Sequence, residues 1–253
     1  MRTFTWLCAA AFALGSHVAS AGAAVPAYIT AAVADTGRPE GDTAQDADRK
    51  PAEVLTFVGV KPVDTVVDLM PGSGYYTRLF SHIVGPNGKV IALQPVEMDK
   101  AAPKGLISLR SFAGTPPYAN VTVIVQPIAA LALPSRVDVV WTSQNYHDVH
   151  DPFLGSPDIL QFNQAILRSL KPHGLYVVLD HRAVAGSGLA ATDTLHRIDQ
   201  ATVRSEVVAA GFKFVRESEV LRNPQDTDTL PIFDKSIRGK TDRFMLVFQK
   251  PAT

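Results

Sequence analysis

Val67-Asp68-Leu69-Met70-Pro71-Gly72-Ser73-Gly74-Tyr75-Tyr76 is an acidic strand end followed by a glycine turn and the first residues of a helix. Upstream, Thr65 to Met70 is a short apolar run rich in β-branched residues, the pattern of a strand buried on both faces. Downstream, Tyr76, Leu79, Phe80 and Ile83 recur at helical spacing until Gly85-Pro86 stops the helix. A Pro86-Asn87-Gly88 turn then leads into Val90 to Leu93, which closes a strand, helix, strand unit.

The same rhythm continues outward. Further strands are predicted at Val121 to Val125, Val137 to Thr142 and Leu175 to Leu179. Ser156-Pro157 opens a helix with Ile159, Phe162, Ile166 and Leu170 on one face, and Asp199 to Ala210 gives another, with Asp199 as its cap. Two last strands, around Lys213 to Leu221 and Arg243 to Phe248, are joined by a polar loop and fit an antiparallel pair at one edge. Alternating strands and helices predict an α/β, doubly wound, mostly parallel sheet. The domain spans 51–253 and begins with a helix that Pro51 starts and Gly59 ends. Residues 22–50 are Ala-rich, then polar, without sustained periodicity, and are read as an extended N-terminal arm.

In an open parallel sheet, ligands bind at the carboxyl ends of the strands near the topological switch point. Gly72 and Gly74 permit close approach to the backbone, and the helix N-terminus offers free N–H donors. Nicotinamide binding is disfavoured, because Thr77 stands where a dinucleotide fingerprint wants a third small residue. No Tyr has a Lys four residues later, and Gly239-Lys240-Thr241 lacks the upstream glycine of a phosphate loop, with Ser236 in the corresponding region.

With these residues, the chain resembles the class I S-adenosylmethionine-dependent methyltransferases, whose first strand ends in an acidic residue before a Gly-x-Gly turn. More narrowly it is similar to an exported bacterial family usually labelled "predicted methyltransferase". That likeness also rests on Arg49-Lys-Pro-Ala-Glu-Val-Leu55, Asn145-Tyr-His-Asp148, Asp180-His-Arg182 and Gly239-Lys-Thr-Asp-Arg-Phe244. The resemblance implies a Rossmann-like seven-stranded sheet with an antiparallel last strand, and S-adenosyl-L-methionine across the ends of the first, second and fourth strands. Asp68, Gly72, Ser73 and Gly74 match positions that cradle the methionine part of the cofactor, with Met70, Pro71 and Tyr75 in the same turn. Met70 replaces the family's first glycine, and Gln94 stands where an acidic residue usually accepts from both ribose hydroxyls. Gln94 still accepts one hydrogen bond, without charge. Gln126-Pro127 occupies the region where an Asp commonly meets the adenine amino group.

The densest polar run is Ser143-Gln-Asn-Tyr-His-Asp-Val-His-Asp151, after the fourth strand. Methyl transfer is an in-line displacement, so the protein must position the acceptor and, where needed, take its proton. His147 is the candidate general base, Asp148 its orienter and Asn145 an acceptor-binding group. The spacing is no zinc pattern, and no metal is expected. An alternative, a metal-dependent enzyme, would use His147 and His150 with Asp148 or Asp151, joined by Asp180 and His181. A further alternative is a non-catalytic ligand-binding module on the same fold. His196 and Arg197 are read as structural residues before the Asp199 helix.

Composition sets the remaining expectations. The 253 residues carry 24 Lys plus Arg against 24 Asp plus Glu, so charge alone draws the chain to neither nucleic acid nor an anionic membrane. At 46% hydrophobic residues there is enough for one sizeable core. Residues 1–21 read as a secretory signal peptide: Arg2, an apolar stretch from Trp6 to Leu14, and Ala19-Ser20-Ala21 as the cleavage site. The apolar stretch is too short for a transmembrane anchor. Cleavage removes Cys8, the single cysteine, so the mature chain forms no disulfide. The sequence thus predicts a periplasmic or secreted methyltransferase with an unknown small-molecule or polymeric acceptor.

Overall fold

A computed structural model of the chain describes residues 24–134 and 136–252. The signal peptide reading, with Cys8 and the Ala21 cleavage site, lies outside the described residues. Seven strands form one sheet: β1 (Thr65–Leu69), β2 (Lys89–Pro95), β3 (Val121–Gln126), β4 (Val137–Ser143), β5 (Leu170–His181), β6 (Lys213–Ser218) and β7 (Arg243–Gln249). Their order is β3-β2-β1-β4-β5-β7-β6. The first five run parallel, while β7 inserts antiparallel between β5 and β6. The chain steps outward from β1 to β2 and β3, then crosses back to β4 on the other side of β1, which places the switch point between β1 and β4.

Alternation along the strands divides the core. Val66, Val139, Trp141 and Val177 face one layer; Val67, Val140, Tyr176 and Val178 face the other. The first layer packs helices α1 (Ala27–Val33), α4 (Pro51–Val58), α5 (Tyr75–Val84) and α7 (Pro103–Phe112) on the sheet. The second packs α8 (Ile159–Ser169) and α10 (Gln200–Ala209). Burial of central strands on both faces explains why they read as nearly continuous apolar runs.

Two segments differ from the sequence reading. Residues 27–49 are not an extended arm: α1 is followed by short helices α2 (Glu40–Thr43) and α3 (Asp46–Arg49). Ile29 and Ala32 are buried between α4 and α5, and the Asp42 carboxylate accepts from Arg78 of α5 at 3.0 Å. These contacts are few and widely spaced, so no helical period shows. Between β2 and β3, where the sequence predicts no helix, α6 (Val96–Ala101) sets Met98 against the second layer and α7 packs on the first. Among the described residues no helix is long and apolar enough to cross a membrane.

Candidate active site

Strand register collects the chemistry at one edge. Leu69 pairs with Leu93 and with Thr142, Ser143 pairs with Leu179, and Asp180 with Phe244. Met70, Gln94, Gln144 and Asp180 are therefore delivered to the same carboxyl edge. Met70, Gln94 and Gln144 border a cavity of about 500 Å³ at the switch point, with Asp180 buried behind it, within the roughly 300–1,000 Å³ of small-molecule sites. Asp68, Met70, Pro71, Gly72, Ser73, Tyr75, Gln94, Asn145, His147 and Asp148 all line it.

Gly74 is the exception among the expected site residues. It has φ +90°, and a Cβ there would sit 2.7 Å from Phe112 and 3.0 Å from Leu109. Gly74 therefore seats α7 on the start of α5 instead of touching a ligand. Gly72 is the glycine that faces the cavity: at φ +57° a Cβ would meet nothing within 4 Å. Met70 is also left-handed, at φ 58°, although it is not glycine. Its buried side chain packs into the second layer, which offsets a backbone cost of about 1–2 kcal/mol. Its carbonyl accepts from Asn145 Nδ2 at 2.8 Å, and that amide also donates to Ser143 O at 2.7 Å. The Asn145 NH2 group is thus committed to tying the glycine loop to the loop after β4, and its Oδ1 is the atom left to meet a ligand in the cavity.

Asp68 is buried at the base of the loop. Its Oδ2 accepts from Thr77 Oγ1 at 2.6 Å, so Thr77 anchors the strand end to the first turn of α5. Burial pushes the carboxyl up to about 7, against the pull of the Thr77 hydroxyl and backbone N–H. Gln94, at the end of β2, is 1% exposed, and its Oε1 accepts no hydrogen bond. A buried acceptor left open at a cavity wall is free to take a hydrogen bond from whatever occupies the cavity. Gln126 does not line the cavity; Met98 and Ala101 of α6, with Ala102 beside them, form that wall.

On the far side, Asp180 organises the loop after β4. Its carboxylate accepts from the backbone N–H of His147 at 2.8 Å and of His181 at 2.7 Å, and pairs with His147 Nδ1 at 2.8 Å. The other ring nitrogen of His147 lies 3.2 Å from Asp148 Oδ1. Burial alone would lower the imidazole, but the Asp180 charge and the hydrogen bonds to Asp148 and Asp180 raise it to about 10. Burial works upward on Asp148, yet His147 and His196 hold its carboxyl below the usual range. His147 is therefore a fixed cation with both nitrogens engaged, not a free base, and its orienter is Asp180.

Sequence reasoning also missed His196 and Arg49. His196, in the left-handed region at φ 53°, ends the short helix α9 (Thr192–Leu195) and turns into the cavity. Its Nδ1 is 3.6 Å from Asp148 Oδ1, and its ring stacks edge-on to Phe233 at 5.0 Å. Only Asp199 caps α10, accepting from Ala201 N at 3.0 Å, and Arg197 is buried against Asp226 at 2.8 Å. Arg49 reaches the cavity from α3 and lies 4.5 Å over the Tyr75 ring. It falls in a segment that carried the family resemblance, which was the available signal. His150 instead points to Glu206 at 3.2 Å, and His181 Nδ1 is held by Thr241 at 2.7 Å.

Comparison with known proteins agrees with this architecture. Residues 40–108 match the family model described as protein-L-isoaspartate(D-aspartate) O-methyltransferase. Over 185 residues the chain is 25% identical to the ubiquinone/menaquinone biosynthesis C-methyltransferase of Pseudomonas paraeruginosa, covering 68% of this chain and 64% of that protein. The chain thus spans just under two thirds of that relative's length. A SAM dependent methyltransferase from Aquifex aeolicus superposes with a TM-score of 0.59 at 21% identity, over 83% of this chain and 95% of its own. The fold is that of the class I S-adenosylmethionine-dependent methyltransferases. A possible exported protein from Bordetella parapertussis shares this methyltransferase fold, with a TM-score of 0.52 at 15% identity over 83% of this chain and 68% of its own.

S-adenosylmethionine is the cofactor of this methyltransferase fold, and the residues present fit it. Gly72 leaves the loop backbone open, Gln94 supplies an unpaired acceptor, and Asp68 and Arg49 place a carboxyl and a guanidinium at the cavity.

Proposed function

We propose that this chain is an S-adenosylmethionine-dependent methyltransferase working outside the cytoplasm on a small-molecule or polymeric acceptor. The observation that carries this reading is the coincidence, in one cavity at the switch point, of the open Gly72 backbone and the unpaired Gln94 carbonyl. The cofactor, when bound, supplies an electrophilic methyl group. The chain's residues then bind and orient: Gly72 and Ser73 hold the ligand against the loop, and Gln94 accepts one hydroxyl. Asp148, His147 and His196 form the polar wall on which the acceptor is placed. His147 supports that wall as a positive charge, since both its nitrogens are already engaged. The accessible imidazole of the wall is His196, whose side chain is 28% exposed.

Export is supported by the charge and cleavage pattern of residues 1–21. The name of the Bordetella neighbour points the same way.

Calorimetric titration with S-adenosylmethionine and S-adenosylhomocysteine tests the cofactor reading, with Trp141 fluorescence as a second signal. Trp141 lies 4.7 Å from Tyr76 at the cavity wall. Saturable binding of both ligands is expected. Absence of binding in a folded sample would overturn it, and binding with no turnover on any acceptor would favour the non-catalytic module. Fractionation of the producing cell tests location: processed protein outside the cytoplasm supports export, and an unprocessed cytoplasmic chain refutes it.

A further inference from the structure

The cluster of His147, Asp148 and His196 carries more than a charge pair. One ligand atom from each lies within 4.8 Å of the others, with Asp148 Oδ1 at 3.2 Å from His147 Nε2 and 3.6 Å from His196 Nδ1. A metal with bonds of about 2.0–2.2 Å holds neighbouring ligand atoms roughly 3–3.5 Å apart, so the set closes with small side-chain shifts.

Three surrounding features favour a cation. First, Asp180 holds His147 Nδ1 at 2.8 Å and is itself fixed by two backbone N–H groups. That carboxylate–imidazole contact is how metal-binding histidines are oriented; Nε2 faces Asp148 Oδ1 at 3.2 Å, and an entering dication takes its place between them by displacing the Nε2 proton. Second, the polar contacts of the buried Asp148 carboxylate, among the described residues, are these two imidazoles. Third, Asp151, in the same turn, is fully buried with Thr192 beside its carboxyl and no cation within salt-bridge distance among the described residues. Carboxylates thus outnumber their compensating groups around the cluster, a costly arrangement that a dication relieves. His181 and His150 are not part of the convergent set; one ring nitrogen of each is turned to another partner, Thr241 and Glu206 respectively.

We propose that His147 Nε2, Asp148 and His196 form a binding site for one divalent transition-metal ion, of the Zn²⁺ class, at the floor of the cavity. Two imidazoles and one carboxylate with open positions suit a borderline ion rather than Mg²⁺ or Ca²⁺. All three residues line the cavity, so the open positions face whatever oxygen- or nitrogen-bearing molecule occupies it. The site goes beyond the methyl-transfer reading and does not depend on it.

The test uses untagged purified protein, stripped with a chelator and titrated with Zn²⁺ by calorimetry and with Co²⁺ by visible absorption. One equivalent of each is expected to bind, with Co²⁺ giving ligand-field bands. His196→Ala, at a partly exposed position, should stay folded by circular dichroism and lose Zn²⁺ affinity at least tenfold. Asp180→Asn should weaken it by about 10–100-fold through the orientation of His147. No saturable uptake by the wild type, or a folded His196→Ala variant that binds Zn²⁺ as tightly as wild type, would overturn the site. S-adenosylmethionine titration of the same stripped sample separates the two readings, since cofactor binding without metal uptake removes only the metal site.

Discussion

Asp180, at the end of β5, accepts from both the backbone N–H and the imidazole Nδ1 of His147, each at 2.8 Å. A single carboxylate therefore sets the position and the ring orientation of a residue on a different strand's loop. Asp180→Asn removes the charge while keeping the shape. We expect a loss of about 3–5 kcal/mol, because a buried ion pair is broken on one side. Urea unfolding measures it, and a change within error would show that the pair is not an energetic anchor.

The same pair gives stability a pH dependence. The His147 imidazole, raised to about 10 in the fold, contributes stabilisation that is complete below its ordinary value near 6.5. That contribution is lost as pH rises through about 10. Urea midpoints for the wild type should fall between pH 7 and pH 10, and the slope should shrink in Asp180→Asn.

Asp68 acts with the same sign in a lower window. Its carboxyl is raised to about 7 by burial, so its stabilising contribution is lost as pH climbs from about 4 through 7. Asp68→Asn keeps an acceptor for Thr77 without the charge. The variant should gain on wild type from pH 5 to pH 8, by an amount on the order of 1–3 kcal/mol. A pH-independent difference between the two proteins would refute the buried-carboxyl account.

The two loop glycines should separate cleanly. Gly74→Ala pays the same left-handed backbone cost of about 1–2 kcal/mol at φ +90° and also drives a methyl group to 2.7 Å from Phe112, an overpacking that adds about 1–3 kcal/mol. Gly72→Ala meets open space and pays only the left-handed backbone cost of about 1–2 kcal/mol. Its larger effect should be on S-adenosylmethionine affinity, with a drop of roughly tenfold or more for a methyl group placed in the cavity. Equal affinity losses in both variants, scaled to stability, would contradict this division.

Removal of residues 22–50 should damage more than an appendage. It takes away Ile29 from the core, Asp42 from Arg78, and Arg49 from the cavity wall. A lower Tm and weaker cofactor binding are expected, by thermal unfolding and calorimetry. A truncated chain as stable as the whole one would mean that these helices only lie on the surface.

The apolar run from Thr65, the glycines at 72 and 74 and the helical spacing from Tyr76 to Ile83 were legible because each is a local property of the chain. Central strands buried on both faces leave unbroken apolar runs, and a strand-to-helix turn demands glycine wherever it occurs. Asp68, Gln94 and His147 were found by the same logic, since strand ends of a parallel sheet converge on one edge.

Sequence alone thus determined the doubly wound sheet, its switch-point loop and the strands that feed it, through periodicity and turn chemistry. Tertiary structure decided the work of the side chains. Only the β4–β5 register brings Asp180 to His147, 33 residues apart, and turns that histidine from a candidate base into a held cation. Only the packing of α7 makes Gly74 a contact glycine, and only the turn at the end of α9 swings His196 onto Asp148. Such pairings depend on distances across the sheet edge between segments remote in the chain, and no local pattern of residue types encodes them.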